Sequence, residues 1–368
     1  MKTSTSKRLR WNVAIWLAAG LFMTSTAGMA SGPIMPDPKA EARHQPQVEE
    51  TANGIPLVNI TAPSSGGVSR NEYQTFNVPD KGAILNNSYT LSKTELAGYV
   101  QGNNNMAERP AKIIVNEVTG AGSTSMDGFL EVAGNRADVV IANPNGITVN
   151  GGGFINTGKA FLTTGKPVYD GEDHLQRFDI TGGDILIEGK GLGGKEAGSL
   201  AILSRAVKIN AGIWAKDLHI TTGANTVDAK TLEASAIEGK GGRPAFALDT
   251  AAIGGMYAGR ITLVGTEKGL GVNNSGTWSA EDNLTLDWNG DLKNSGTIYS
   301  KGNTDLRANY LENDKTIAAE RNLSAAAKEN IHNQGKLLAG ETWTSNPEGA
   351  AANLSDSGKQ RSGTGRKL

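Results

Sequence analysis

The stretch Asn274-Ser275-Gly276-Thr277 recurs as Asn294-Ser295-Gly296-Thr297, then more loosely as Asn313-Asp314-Lys315-Thr316 and Asn333-Gln334-Gly335-Lys336, at spacings of 20, 19 and 20 residues. An apolar residue follows each block: Trp278, Ile298, Ile317 and Leu337. Leu292, Leu311 and Ile331 repeat near the unit ends, and Asn283, Asn303 and Asn322 mark a second polar position. Ordinary hairpin turns also use Asn-Ser-Gly, but turn chemistry alone does not hold one register through successive units. Apolar groups at fixed phase make each unit one coil, whose inward side chains are buried against the coils above and below. Twenty residues at roughly 3.3 Å each trace a path of about 65 Å, and strands stack about 4.8 Å apart, which is a parallel β-helix. Asn at one phase is placed to form amide ladders between coils. The Ala-rich stretch 318–331 has helix propensity, which the phase of the repeat overrides.

The same texture extends upstream. Ile113-Ile114-Val115, Val139-Val140-Ile141 and Ile185-Leu186-Ile187 are short aliphatic runs bounded by turn residues, as strands are. The 48 glycines among 368 residues, about double ordinary usage, suit many tight turns and disfavour a compact helical enzyme.

At the start of the chain, Lys2, Lys7, Arg8 and Arg10 precede the apolar run Trp11 to Phe22 and then Gly28-Met29-Ala30. This is the pattern of a secretory signal peptide cleaved after Ala30; the run is shorter than the roughly 20 residues a membrane span needs. Loss of those four basic groups leaves 32 Lys and Arg against 37 Asp and Glu, a net charge of −5, and no basic stretch that would suit nucleic acid. The absence of cysteine means that an exported chain is held by its core rather than by disulfides, and can cross a second membrane unfolded.

These features divide the chain into a signal peptide (1–30), a proline-rich flexible leader (31–52), a β-helical domain with insertions (53–260), coils of about 20 residues (261–345) and a polar, disordered tail (346–368). Residues 237–260 and 166–178 interrupt the pattern and are read as bulges from the coil, places where recognition loops sit. The tail offers no clear polar cap, the pattern expected at the front of a longer array.

The segment from Asn53 carries more specific blocks: Asn53-Gly54-Ile55-Pro56-Leu57, Gly67-Val68-Ser69-Arg70-Asn71, Leu85-Asn86-Asn87-Ser88 and Asn116-Glu117-Val118-Thr119-Gly120. Ile141-Ala142-Asn143-Pro144-Asn145-Gly146-Ile147, Gly153-Phe154-Ile155-Asn156-Thr157 and Leu162-Thr163-Thr164-Gly165 follow in order. Together they resemble the N-terminal secretion (haemagglutination activity) domain of filamentous haemagglutinin-type exoproteins of Gram-negative two-partner secretion.

The resemblance implies an all-β, right-handed parallel β-helix with N-terminal capping strands. It implies export by the Sec machinery into the periplasm, recognition by a cognate outer-membrane β-barrel transporter, and a final place at the cell surface or outside the cell. In that family the Asn-Pro-Asn-Gly-Ile motif, here Asn143, Pro144, Asn145, Gly146 and Ile147, is linked to secretion. Pro144 presets a turn, and Asn145 and Gly146 tolerate positive φ, so the motif acts as a transporter signal, as a turn that folds the domain, or as both. An earlier family motif is degenerate here, as Asn103, Asn104, Asn105 and Met106, with Asn104 in place of proline.

The function implied is cell-surface adhesion and haemagglutination, or else the secretion module of a larger contact-dependent toxin or haemolysin; no receptor is named by the sequence. A polysaccharide lyase on the same scaffold is the enzymatic alternative, with Asp179, Asp184 and Glu188, or Asp282, Asp287 and Asp291, as its acids. Acids so spaced in turn-rich sequence are ordinarily turn caps. His44, His174, His219 and His332 lie too far apart for a ligand-spaced pair. The expectation is a protein without catalytic residues, metal or cofactor.

Overall fold

A computed structural model describes residues 32–106, 109–347, 353–356, 359–362 and 365–367; Ala30 and the rest of the signal sequence lie outside the described residues. From Pro33 onward the chain is a parallel β-helix whose coils each contribute a strand to three stacks. In the first stack Thr124–Met126, Ile147–Val149, Asp184–Ile187 and Ala206–Ile209 pair in parallel and lead on to Gly271–Asn274 and Leu292–Asn294. In the second, Ala83–Asn87 lies beside Phe129–Gly134, and the stack continues to Thr277–Ala280 and Lys336–Ala339. The third begins with Val68–Phe76 on Ile113–Val118 and runs to Leu323–Ala327 on Thr342–Pro347.

The sequence repeat maps directly onto these stacks. Trp278, Ile298, Ile317 and Leu337 face one another at a single register and are fully buried. Leu292, Leu311 and Ile331 form a parallel column in the first stack. Each such side chain contributes about 1.5–3 kcal/mol by burial. The buried amide of Asn274 donates to Asn294 Oδ1 at 2.8 Å, Asn294 to Asn313 at 2.7 Å and Asn313 to Asn333 at 2.7 Å. The outer position holds a shorter version, with Asn322 Nδ2 donating to Asn303 Oδ1 at 3.0 Å. The Ala-rich stretch is strand, at Thr316–Ala319, Leu323–Ala327 and Asn330–Asn333. Ala319, Ala325 and Ala327 are its buried alanines, facing inward at alternate positions, and Ala325 takes the place that Leu306 holds one coil earlier.

Three readings need correction. The stretch 31–52 is no flexible leader: Ile34–Pro36 pairs antiparallel with Val68–Phe76, and Gln47–Glu50 pairs antiparallel with Pro56–Asn59, closing the first coil. Between them a 3-10 turn at Ala42–His44 buries His44. Prolines and charges mislead here because the partners that satisfy them come from other segments.

Residues 237–260 do not all leave the coil. Phe246–Thr250 and Gly255–Gly265 rejoin the first, second and third stacks, and the excursion is confined to the segment before them. What leaves the coil is a four-stranded antiparallel sheet of Lys166–Tyr169, Leu175–Ile180, Asn225–Asp228 and Ala234–Ala236. It buries Phe178, Ile180 and Val227 against Val140, Phe161 and Leu203 on the outer side of the third stack. A second arm, the hairpin Ser92–Thr94 and Gly98–Val100, covers Leu57, Ile84 and Ala133 on the second stack.

Within the polar stretch 346–368, read as a disordered tail, the segments Asn353–Asp356, Lys359–Ser362 and Gly365–Lys367 are strands that extend all three stacks. Backbone pairing to the coil above imposes strand on a composition that would not choose it alone.

Candidate recognition site

The Asn143–Ile147 motif forms the corner between the third and first stacks. Gly146 N–H donates to the Asn143 carbonyl at 3.0 Å, closing a turn, and Asn143 Oδ1 accepts from Asn145 N–H at 2.9 Å. Gly146 has φ 109°, a backbone state that a side chain would strain. The Asn143 side chain is fully buried and donates to the Gly122 carbonyl at 2.9 Å and to Thr124 Oγ1 at 3.0 Å. Asn145 Nδ2 donates to the Gly120 carbonyl at 2.8 Å. The two asparagines therefore staple this corner to the corner of the preceding coil, while Ile147 enters the core. Pro144 and Asn145 are the exposed members of the motif.

The degenerate motif repeats the geometry. Met106 N–H donates to the Asn103 carbonyl at 3.1 Å, and Asn103 Oδ1 accepts from Asn105 N–H at 2.9 Å. Buried Asn103 donates to the carbonyls of Ile60 at 2.8 Å and Asn86 at 2.9 Å, and Asn105 also reaches the Ile60 carbonyl, at 3.1 Å. Met106 fills the place of Ile147 in the core. Asn104, exposed like Pro144, makes the turn without proline.

A third constellation escaped the sequence reading. Asp37 Oδ2 accepts from Thr119 Oγ1 at 2.6 Å, which ties the cap to the loop that receives the Asn145 amide. That bond, with the Lys39 N–H, holds the Asp37 carboxyl below its ordinary range. His44 Nδ1 lies 3.1 Å from Glu72, and Arg70 lies 2.8 Å from Glu72, 3.5 Å from Glu117 and over the Tyr169 ring at 4.5 Å. Burial, with the Arg70 charge next, pushes His44 down; burial pushes Glu117 up. Arg43 bridges to Asp173 on the outer sheet at 2.6 Å. The signals for this cluster were the blocks Gly67 to Asn71 and Asn116 to Gly120, which supply Arg70, Glu117 and Thr119 but carried no role by themselves.

The acids weighed for lyase chemistry are dispersed. Asp179 pairs with Arg177 on the outer sheet at 2.8 Å, Asp184 opens a strand of the first stack, and Asp282 sits 3.8 Å from Arg260 at the corner between the second and third stacks. Asp287 lies on a third-stack strand, beside Arg307 of the next coil. Among the described residues no group of three or more His, Asp or Glu is arranged to hold a metal ion.

Known proteins carry the same architecture. The TPS secretion domain family matches residues 33–299, starting at the cap strand, and the haemagglutinin repeat family matches residues 299–358. The crystal structure of the filamentous hemagglutinin secretion domain superposes with a TM-score of 0.65 at 30% identity, covering 91% of this chain and 98% of that one. "Toxin CdiA" of Yersinia pestis is 41% identical over 298 residues, which is 75% of this chain and 9% of that protein. "16S rRNA endonuclease CdiA" of Enterobacter cloacae subsp. cloacae is 42% identical over 280 residues, 75% of this chain and 8% of that protein. The chain spans about a tenth of the length of these relatives. With one model spanning residues 33–299 and the other the coils that follow, the chain belongs to the TPS secretion domain family, followed by haemagglutinin repeats.

Proposed function

We propose that this chain is exported by Sec through its signal peptide, which is cleaved on passage, and is then threaded through a cognate outer-membrane β-barrel transporter that recognises its N-terminal domain. It then folds outside the cell as the base of a surface-exposed β-helix. The observation that carries the reading is the pair of stapled corners. Each presents an exposed residue, Asn104 or Pro144, above a buried Asn whose amide reaches a carbonyl of the preceding coil. Such corners suit a chain that folds coil by coil as it emerges, and they leave short exposed segments for a transporter to grip. The similarity to toxin proteins favours service as the secretion module of a contact-dependent toxin, and the haemagglutinin repeats favour an adhesive stalk. Both readings share the export step and require no catalysis by this chain.

The test is expression in a Gram-negative host with and without a cognate outer-membrane transporter of the two-partner type. Export should depend on that transporter; accumulation in the medium without it would overturn the proposal, as would retention in the periplasm with it.

A further inference from the structure

The outward register of the second stack holds Phe129, Gly153, Gly193, Trp214, Tyr257, Ser279 and Tyr299 in one column across successive coils. Trp214 and Tyr257 lean back along their strands over the glycines two residues earlier. A Cβ on Gly212 would lie 2.5 Å from the Trp214 ring, and one on Gly255 would lie 2.8 Å from the Tyr257 hydroxyl. Phe129 likewise lies against Gly153, whose Cβ would fall 2.4 Å from the ring. The glycines thus let the rings lie down on the sheet. Trp214 and Tyr257 are nearly parallel, with centroids 6.2 Å apart and 16° between planes, and Tyr257 remains 38% exposed.

Beside this pair, at the corner with the third stack, stand the exposed ionic side chains of Lys216, Asp217, Arg260, Glu281, Asp282 and Lys301. Arg260 lies 3.9 Å from Asp217 and 3.8 Å from Asp282, and Lys301 pairs with Glu281. Positive and negative groups are equal in number there, so the rim has many hydrogen-bonding groups and no net field to gather a polyanion.

We propose that this face is a binding platform for an extended, neutral polysaccharide. A pyranose ring offers a C–H face that packs on an aromatic ring and a rim of hydroxyls that bond to carboxylates and guanidinium groups. Coils repeat at about 4.8 Å, close to the length of one hexose in an extended chain, so consecutive sugars meet consecutive coils. Along the column the aromatic pair is broken by Gly193 on one side and Ser279 on the other. A protein or lipid partner would need broader apolar cover. This site lies apart from the stapled corners, on which the proposed export reading rests.

The test is affinity electrophoresis of the folded mature chain in native gels containing hydroxyethylcellulose, with hyaluronan as an acidic comparison. The wild type should be retarded by hydroxyethylcellulose. Trp214→Ala and Tyr257→Ala should each weaken binding roughly three- to tenfold, and Trp214→Phe, which keeps a ring, should retain most of it; circular dichroism verifies the fold of each variant. No retardation of the wild type, equal retardation of the alanine variants, or retardation by hyaluronan alone would each overturn the proposal.

Discussion

Asn103 and Asn143 play one structural role at two corners of the coil. Each accepts the N–H of the residue two ahead on its Oδ1, at 2.9 Å, and each spends its buried amide on groups of neighbouring segments. Loss of proline at position 104 therefore leaves the corner intact, because the asparagine before it, rather than the proline, holds the turn. This relationship also separates what a transporter can touch from what the fold requires.

Asn143→Ala should cost about 1–3 kcal/mol, because the Gly122 carbonyl and Thr124 hydroxyl lose a buried donor. Pro144→Ala, at an exposed position, should cost less than about 1 kcal/mol. Urea melts of purified variants alongside export assays divide the roles. Export lost in Pro144→Ala with an unchanged midpoint marks direct recognition, while export that tracks stability across both variants marks a folding role.

In the repeats, Asn294→Ala should be more damaging than Asn274→Ala. Asn294 is an inner rung that accepts from Asn274 and donates to Asn313, so its loss orphans groups on both sides. A cost of about 1–3 kcal/mol is expected. Since each coil contacts only its neighbours, hydrogen exchange should rise in the adjoining coils and leave the N-terminal cap protected.

Arg205 bonds the Glu267 carboxylate through Nε at 3.0 Å and Nη2 at 2.9 Å, and holds the Lys240 carbonyl at 2.7 Å. Arg205→Ala removes both guanidinium bonds and leaves the part-buried carboxylate with only the Ala224 N–H of these partners, which should cost roughly 1–3 kcal/mol. Limited proteolysis should then cut first in the segment 237–245, which that arginine pins to the coil.

Acid should destabilise the fold partly through His219, whose pKa burial lowers from 6.5 to about 4, with Lys159 adding to the shift. The folded pKa lies below the unfolded one. Its contribution is therefore complete above pH 6.5 and is lost as pH falls towards 4. The loss is at most about 3 kcal/mol, and smaller for a ring that is partly exposed. His219→Gln should flatten the stability profile in that window, as read from urea midpoints at successive pH values.

Much of this fold was legible because a solenoid writes its geometry into a one-dimensional period. The phases of Asn274, Trp278 and Leu292 determined a coil, its inward columns and the amide ladder, since each residue meets its counterpart one repeat later. The Asn143 to Ile147 block likewise announced a turn. The sequence by itself could not tell that Pro144 is exposed while Asn143 is buried, for that depends on which loop lies beneath the corner. Nor could it place residues 33–50, where polar and proline-rich composition suggested freedom. His44 is buried against Glu72, and Arg43 reaches Asp173 across 130 residues of chain. The outer sheet was hidden for the same reason: Phe178 looks like part of a surface loop until Val140 and Leu203 are seen beneath it. Periodic contacts between neighbouring coils repeat at a readable spacing, whereas contacts between cap, coil and outer arms are single events without a period, and only the folded chain brings those partners together.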